Sequence, residues 1–358
     1  MQGAPMNGLL ASGSATPQSR SAATVGALLR SIIASRGLGR PGDLVSEIGS
    51  DNTTTCWKLN AAQTLVVAGT ARDATIDDAQ ACGHIAANAA LAPIHAAAAK
   101  PLFARMLCEC PAGASDAARE AILEGAALAL SEAGAILADA QFVDAPTLRF
   151  DVLAAGIVRP DRLRSVAGAQ AGDALIVAGP LGSGIYATAH ARKRLSAEDR
   201  DALIAQATRS TRLGIALGSI RNVHAVNVVG PTGLIAAALA LGHASALAVV
   251  LDARTVPMLP QALALARAGS VSPLSSSNWN RDGALVRLDD RVMPEMRALL
   301  TDPHASGALL IACKRESVGR VLALCEAEDV GGAAEVGSLH AVSPDVGGAA
   351  KERLTVVA

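Results

Sequence analysis

The sequence predicts an α+β fold in two domains, and three observations carry that reading. The chain has 358 residues, 51% of them hydrophobic, enough to bury more than one core. Two apolar runs, Asp151 to Val158 and Ala174 to Ala178, read as buried strands on either side of a polar joint. Strand-like and helix-like stretches follow one another without regular alternation, which argues against a doubly wound sheet. Aromatics make up only 2%, so the core must be close-packed from alanine and branched aliphatics.

Residues 1–22 are rich in Gly, Ser, Ala and Pro and are expected to form a mobile segment. Val25 to Ser35 has helical spacing and stops before Gly37, and residues 39–42 read as a turn. Leu65 to Ala68 is a short strand-like run. Cys82 to Ala99 is Ala-rich and helical, with Pro93 expected to kink or break it. Ser115 to Ala133 is the clearest helix: Ser115 can cap it, Asp116 and Glu120 suit its N-terminus, and Gly134 follows its end.

Past Ala178, the turn Gly179-Pro-Leu-Gly-Ser-Gly184 releases a helix. Gly182 and Gly184 permit a tight backbone path, and Ser183 is expected to cap. The turn lacks GxxxxGK[ST], so it reads as a strand–turn–helix joint rather than a phosphate cradle. Ser196 to Leu217 reads as one long helix or two short ones, opened by an imperfect capping box of Ser196 and Asp199. Val223 to Val229 and Ala246 to Leu251 are strand-like, with a helix over Pro231 to Gly242 between them. Gly269 to Gly283 is a Ser/Asn-rich stretch expected to be a polar loop. A strand over Gly307 to Ala312 and a helix over Glu316 to Glu326 follow, and no solenoid repeat is evident.

Charge and composition narrow the function. A net charge of −1 argues against a nucleic-acid binder, which needs a basic face. No apolar run reaches the length of a membrane span, and the start does not read as a signal peptide. The six cysteines show no CxxC, and Cys108 and Cys110 form a lone CxC. Reduced, mostly structural cysteines and a cytoplasmic location are expected.

Several blocks, in order, carry a resemblance. The central stretch has Gly156-Ile-Val, Asp161-Arg162, Gly168-Ala-Gln-Ala-Gly-Asp173 and Pro180-Leu-Gly-Ser-Gly184. Ile85-Ala-Ala-Asn88 leads to Lys100-Pro101, and Ala118-Arg-Glu120 and Glu132-Ala-Gly134 precede Val143-Asp-Ala-Pro146. Thr301-Asp-Pro303 is followed by Ser306-Gly307 and Leu309-Leu310. From Ser12 to Gly337 the chain thereby resembles selenophosphate synthetase (selenide, water dikinase), of the AIR-synthase-like, or PurM-like, ATP-binding superfamily. The resemblance implies a two-domain AIR-synthase-like fold. After the mobile segment 1–22, residues 23–160 would be the ATP-binding-type half and 161–358 the C-terminal α+β half. It also implies ATP with Mg²⁺ held by aspartates, because phosphoryl transfer rests on positioning and on neutralising phosphate charge.

The residues at the family's working positions depart from that chemistry. Its Asp-Asp-Ala-Ala block falls on Asn52-Thr53-Thr54-Thr55, and its Thr-Asp-Phe-Phe motif on Thr70-Ala71-Arg72-Asp73. The aspartate of its Ser-Asp pair becomes Pro93, and its Gly-Gly-His loop becomes Asp139-Ala140-Gln141. The Thr-Asp-Val-Thr-Gly motif becomes Asn227-Val228-Val229-Gly230. Thr53, Ala71, Pro93 and Val228 thus replace four carboxylates, and no single alignment slip restores them all. In the N-terminal loop, Pro17 stands at the family's thiol position and Arg20 at its lysine position. Asp73, Asp77 and Asp78 lie nearby and read more simply as solvated loop or helix-start acids, and Asp51 and Asp139 offer a carboxylate one or two residues away, a shift that turns a side chain to the other face of a strand. His84, His95 and His304 are scattered, without partners at metal spacing, so no metal site is assigned. Asn278 matches the family's substrate-side Arg-Asn pair without its arginine.

These residues favour a non-catalytic homologue that acts by protein binding. The alternative is an active ATP-dependent selenide, water dikinase or a related phosphotransferase, and only then would ATP and Mg²⁺ be cofactors. The expected partners are a second copy of the chain, with strands Leu65 to Ala68 and Asp151 to Val158 pairing across the dimer, and an active paralogue or selenium-pathway protein.

Overall fold

The computed structural model describes Leu29 and residues 31–33, 35–36, 42–46, 54–305, 307–342 and 353–358. The chain divides into two compact units, Met1–Leu163 and Arg164–Ala358. Leu29, residues 31–33 and Ser35 are helical, as their spacing predicts.

The first unit holds a five-stranded sheet of β1 (Thr54–Lys58), β2 (Thr64–Asp73), β3 (Lys100–Cys110), β4 (Ile136–Asp144) and β5 (Arg149–Val158). The spatial order is β1-β2-β5-β3-β4. Helices α1 (Ala79–Ala96) and α2 (Asp116–Glu132) cover one face. Only β3 and β4 run parallel, and α2 is the crossover that such a pair requires. Ser115 caps α2 as expected, its hydroxyl accepting the Ala118 N–H at 3.2 Å, and Gly134 ends it with a φ of 72°. Asp78 caps α1 in the same way, at 2.9 Å from the Ala81 N–H.

Pro93 does not break α1, which runs on to Ala96. Proline so near a C-terminus forfeits one hydrogen bond, and here the helix is buried along almost its whole length, so packing overrides the local preference. The helices touch backbone to backbone. A Cβ on Gly83 would lie 1.9 Å from the Ile122 carbonyl oxygen, and one on Gly125 would lie 1.8 Å from that of Gln80.

The strands expected to pair across a dimer are interior ones. β2 lies between β1 and β5, and β5 between β2 and β3, so the backbone edges of both are already used. The outer edge of β1 is partly covered as well, because the Lys58 N–H donates to the Asp43 carbonyl at 2.7 Å and the Val45 N–H to that of Cys56 at 2.8 Å. The face opposite the helices is apolar and open: Trp57 is 37% exposed, Phe103 39%, Leu153 45% and Ile136 64%. Registers align Val67, Ala155, Phe103 and Ile136 in one row across that face.

The second unit holds a seven-stranded sheet of β6 (Ala174–Ala178), β7 (Val223–Val228), β8 (Leu247–Asp252), β9 (Val286–Leu288), β10 (Leu309–Cys313), β11 (Ala333–Ala341) and β12 (Leu354–Val357). Its order is β7-β10-β6-β11-β8-β12-β9, with β12 parallel to both its neighbours and the other pairs antiparallel. This mixed sheet is the α+β architecture predicted. All five residues of β6 are buried, as its apolar run implies. The helices are α3 (Ser183–Ala191), α4 (Ala197–Ala207), α5 (Leu213–Leu217), α6 (Gly233–Ala244), α7 (Ala262–Arg267), α8 (Pro273–Asp282), α9 (Pro294–Leu300) and α10 (Val318–Ala327). Ser196 to Leu217 therefore forms two helices, and the Ser196 hydroxyl accepts the Asp199 N–H at 3.0 Å.

The expected loop over Gly269 to Gly283 contains α8 instead. Ser272 caps it, Pro273 opens it, and its buried side is made by Ser275, Asn278 and Asp282. Those positions have helical spacing but polar identities, so an apolar pattern could not reveal them.

The glycine crossing gives a stability test. Gly83→Ala or Gly125→Ala should destabilise by about 1–3 kcal/mol, the usual range for overpacking. Gly113→Ala should be close to neutral, since nothing lies within 4 Å of a Cβ there. Urea midpoints of the three variants, compared at unchanged slope, check this.

Candidate functional site

In the first unit, Ala71 sits on β2 directly across from Asp151 on β5. Alternation puts both on the open face, with Gly69 and Leu153, while Val66, Ala68, Val152 and Ala154 face the helices. Pro93 lies within buried α1, on the other face of the sheet. It precedes Ile94, whose side chain meets the β5 backbone at Gly156, five residues along from Asp151. Ala71 and Pro93 are therefore not brought together. Cross-strand partners have Cβ atoms about 4.5–5.5 Å apart, so Asp151 brings a carboxylate to the level of Ala71 from the neighbouring strand.

The side chain that β2 turns toward the helices next to Ala71 is a cation. Arg72 is half-buried, and desolvation lowers its guanidinium to about 10. Asp73 is exposed and stands opposite Arg149. Asp78 is the cap of α1, and Asp77 is exposed.

Asp139, Ala140 and Gln141 are not a loop. They lie within β4, in register with Arg105, Met106 and Leu107 of β3. Asp139 accepts from the Arg105 Nε at 3.1 Å on the half-exposed face, a pair of little energetic worth that still occupies the carboxylate. Pro17, Arg20, Asp51 and Thr53 lie outside the described residues.

In the second unit, Val228 ends β7 opposite Leu309, half-buried and apolar. The Gly-rich joint is held from across the unit. Gly182 precedes α3 with a φ of 107°, and Ser183 does not cap the helix. The Ser183 hydroxyl instead lies 2.9 Å from the His304 Nδ1 and accepts the Ala305 N–H at 3.0 Å. Asp302 takes the capping role: its Oδ2 accepts the Gly184 N–H at 2.8 Å and the Ile185 N–H at 3.2 Å. A Cβ on Gly184 would come within 2.7 Å of the Asp302 Oδ1. Asn278, the family-matched amide, is a buried staple. Its Nδ2 donates to the Pro231 and Thr301 carbonyls, each at 3.0 Å, and its Oδ1 accepts from Arg281 at 3.2 Å.

His84 lies 3.7 Å from Glu132, and His84, His95 and His304 are all buried. The six cysteines are free and buried. Among the described residues no group of three or more His, Cys, Asp or Glu could hold a metal ion, and no helix is long and apolar enough to cross a membrane. Taken singly, the methyl, pyrrolidine and isopropyl groups at 71, 93 and 228 offer no hard oxygen of the kind Mg²⁺ takes.

The two-sheet α+β fold defines the class as AIR-synthase-like. The family "AIR synthase related protein, C-terminal domain" matches residues 170–345. Among solved structures the chain is similar to thiamine-monophosphate kinase from Stenotrophomonas maltophilia, with a TM-score of 0.64 and 19% identity over 92% of this chain and 95% of that one. It is also similar to HypE from E. coli, with a TM-score of 0.62 and 18% identity over 88% and 91%. At such identities the likeness carries the fold alone. In sequence the chain is 34% identical over 295 residues to a selenide, water dikinase from Paraburkholderia xenovorans, covering 82% of this chain and 83% of that protein. The enzyme of the same description from Rhizobium meliloti is 34% identical over 248 residues, 69% and 71% of the two chains. The chain belongs to the selenide, water dikinase family.

Asp302 makes the joint pH-sensitive. Burial pushes its carboxyl up to about 8, against the two backbone N–H groups that pull it down, and its Oδ1 has no hydrogen-bond partner. An unfolded aspartate titrates near about 4, so the folded state holds an extra proton between the two values. The group's contribution is fully present below the unfolded value and is lost as pH rises toward 8. The thermal midpoint of the wild type should fall as pH rises from about 4 to about 8 and level off above that. Asp302→Asn, which mimics the protonated acid, should flatten that fall; an equally steep decline in the variant would exclude Asp302 as its source.

Proposed function

We propose that the chain is a non-catalytic member of the selenide, water dikinase family that acts by binding protein. The observation that carries this reading is that positions 71, 93 and 228 each hold a side chain with no oxygen to offer Mg²⁺. A triphosphate needs its charge neutralised before its phosphoryl group can be transferred. A guanidinium can pair with phosphate but does not replace ions that bridge phosphate oxygens. Pro17 supplies no nucleophile, and Arg20 could clamp a phosphate without acting as a lysine point charge. The two-domain reading, 23–160 and 161–358, belongs to the same proposal.

The second reading is retained because the relatives that cover most of the chain are described as selenide, water dikinases. In that case the protein would itself make selenophosphate from selenide and ATP, or carry out a related phosphoryl transfer, with a rebuilt site.

The proposed partners are a second copy of the chain and an active paralogue or another selenium-pathway protein. The support for self-association is the open face of the first sheet, where Trp57, Phe103, Leu153 and Ile136 lie exposed on one side. Face packing leaves the hydrogen bonds of the interior strands intact, so it replaces the edge pairing expected from Leu65 to Ala68 and Asp151 to Val158. Free, buried cysteines suit a reducing, cytoplasmic setting.

Two measurements test the reading. Calorimetric titration of the full chain with ATP should show no binding that depends on Mg²⁺, and phosphorus NMR of an anaerobic reaction with selenide and MgATP should show no selenophosphate. A selenophosphate resonance from the wild type hands the case to the second reading. Separately, Phe103→Asp combined with Leu153→Asp should convert a dimer into a monomer in sedimentation. A wild type that is already monomeric at micromolar concentration removes the dimer from the proposal.

A further inference from the structure

The structure assigns a second site, which we propose binds a small organic monocarboxylate, to a cavity walled by α7, α8 and α9. The cavity encloses about 410 Å³, within the range of small-molecule sites. It uses none of the positions at which the family's nucleotide chemistry is lost, so it stands whether or not the chain is catalytic.

Three side chains bring charge to its wall, with Arg267 and Arg297 exposed to solvent and Glu295 buried. Arg267 donates to Glu295 from Nε at 3.0 Å and again from Nη2 to the same oxygen. The Glu295 side chain is buried, and the Arg267 hydrogen bond holds its carboxyl below the usual range, so the pair is ionised and sums to zero. Arg297 is the remaining charge. Its guanidinium stacks on the Trp279 indole at 5.1 Å, and among the described residues it has no ion-pair or hydrogen-bond partner. Stacking fixes the plane of a guanidinium and leaves its N–H edge free for a two-oxygen acceptor.

The other wall groups favour the same ligand. The Ser275 and Thr301 hydroxyls meet at 2.8 Å and are spent on each other and on backbone carbonyls, so they close the wall without offering an anchor. Ser276 and Asn280 line the same cavity, are exposed, and have unengaged side chains. Val271 and Pro294 add apolar surface.

Charge count then separates the candidate anions. One uncompensated guanidinium balances one negative charge. A phosphate monoester carries about −1.5 to −2 at pH 7, and its excess would sit beside the Glu295 carboxylate. A monocarboxylate leaves nothing unpaired, and the apolar wall accommodates its ring or short chain.

The chain has two tryptophans, so Trp57→Phe leaves Trp279 as the only indole. Titrating that full-length variant with sodium benzoate at constant ionic strength should change the Trp279 emission saturably, with a Kd on the order of 1 mM. Arg297→Gln in the same background should weaken binding by about tenfold, the loss of one charge-assisted contact. Inorganic phosphate at equal concentration should not compete. Saturation-transfer NMR on the benzoate protons, with the unmodified chain, gives a readout that needs no substitution. A non-saturating response in both measurements overturns the site. So does an unchanged affinity in Arg297→Gln at matched circular dichroism, or phosphate competing as well as benzoate.

Discussion

The first unit depends on one contact, the crossing of α1 and α2 at Gly83 and Gly125. Each missing Cβ is replaced by a carbonyl oxygen of the other helix, at Ile122 and Gln80. A chain with 2% aromatic residues cannot fill wide gaps with rings. It reaches interior density by bringing backbones together over alanines, and Ala86, Ala87, Ala90 and Ala126 are fully enclosed. Because both helices lie against the same face, they bury one alternating set of strand residues and leave the other bare. The apolar open face is thus a consequence of the layering, not an isolated patch.

The second unit solves the same packing problem with polar groups. Its interior strand β6 is wholly apolar, but the turn after it is positioned by Asp302, Ser183 and His304. Asn278 fastens α8 to two backbone carbonyls, and Ser275 bonds Thr301. Buried polar groups tolerate little displacement, since each lost bond costs a desolvated partner. This geometry holds α8 and α9 where Trp279 and Arg297 can stack.

Elements with local punctuation were legible in the sequence. The cap at Ser115 and the stop at Gly134 frame α2, and the turn at Gly179-Pro180 ends β6. β3 gives no clear signal in the sequence, although Ala104, Met106, Cys108 and Cys110 alternate with Arg105, Leu107 and Glu109. Its lysine, arginine and glutamate masked a period of two. β12 has four residues and takes its structure from parallel partners β8 and β9, which no local pattern reveals. At the candidate site, residue identities were legible but directions were not. That Ala71 points out and Arg72 points in is decided by a one-residue register, which only the paired strand fixes. The cavity was invisible for a related reason: Arg267, Trp279, Glu295 and Arg297 are spread over three helices, one of which resembled a polar loop.

On the proposed non-catalytic reading, side chains without a carboxylate at positions 71, 93 and 228 have a physical logic. Aspartates gathered to hold Mg²⁺ repel one another whenever the metal is absent, and that repulsion is a standing cost to the folded state. Catalysis justifies such a cost, and a protein that only binds partners has no use for it. At Ala71 the replacement is a methyl on an open face, where desolvation costs nothing. At Pro93 it is an apolar ring inside a helix that is buried almost throughout. Several of the remaining acids serve structure: Asp78 caps, Asp139 bridges to Arg105, and Asp302 holds a helix start. The proposed recognition would then fall to surfaces such as the open sheet face and the Arg297 cavity.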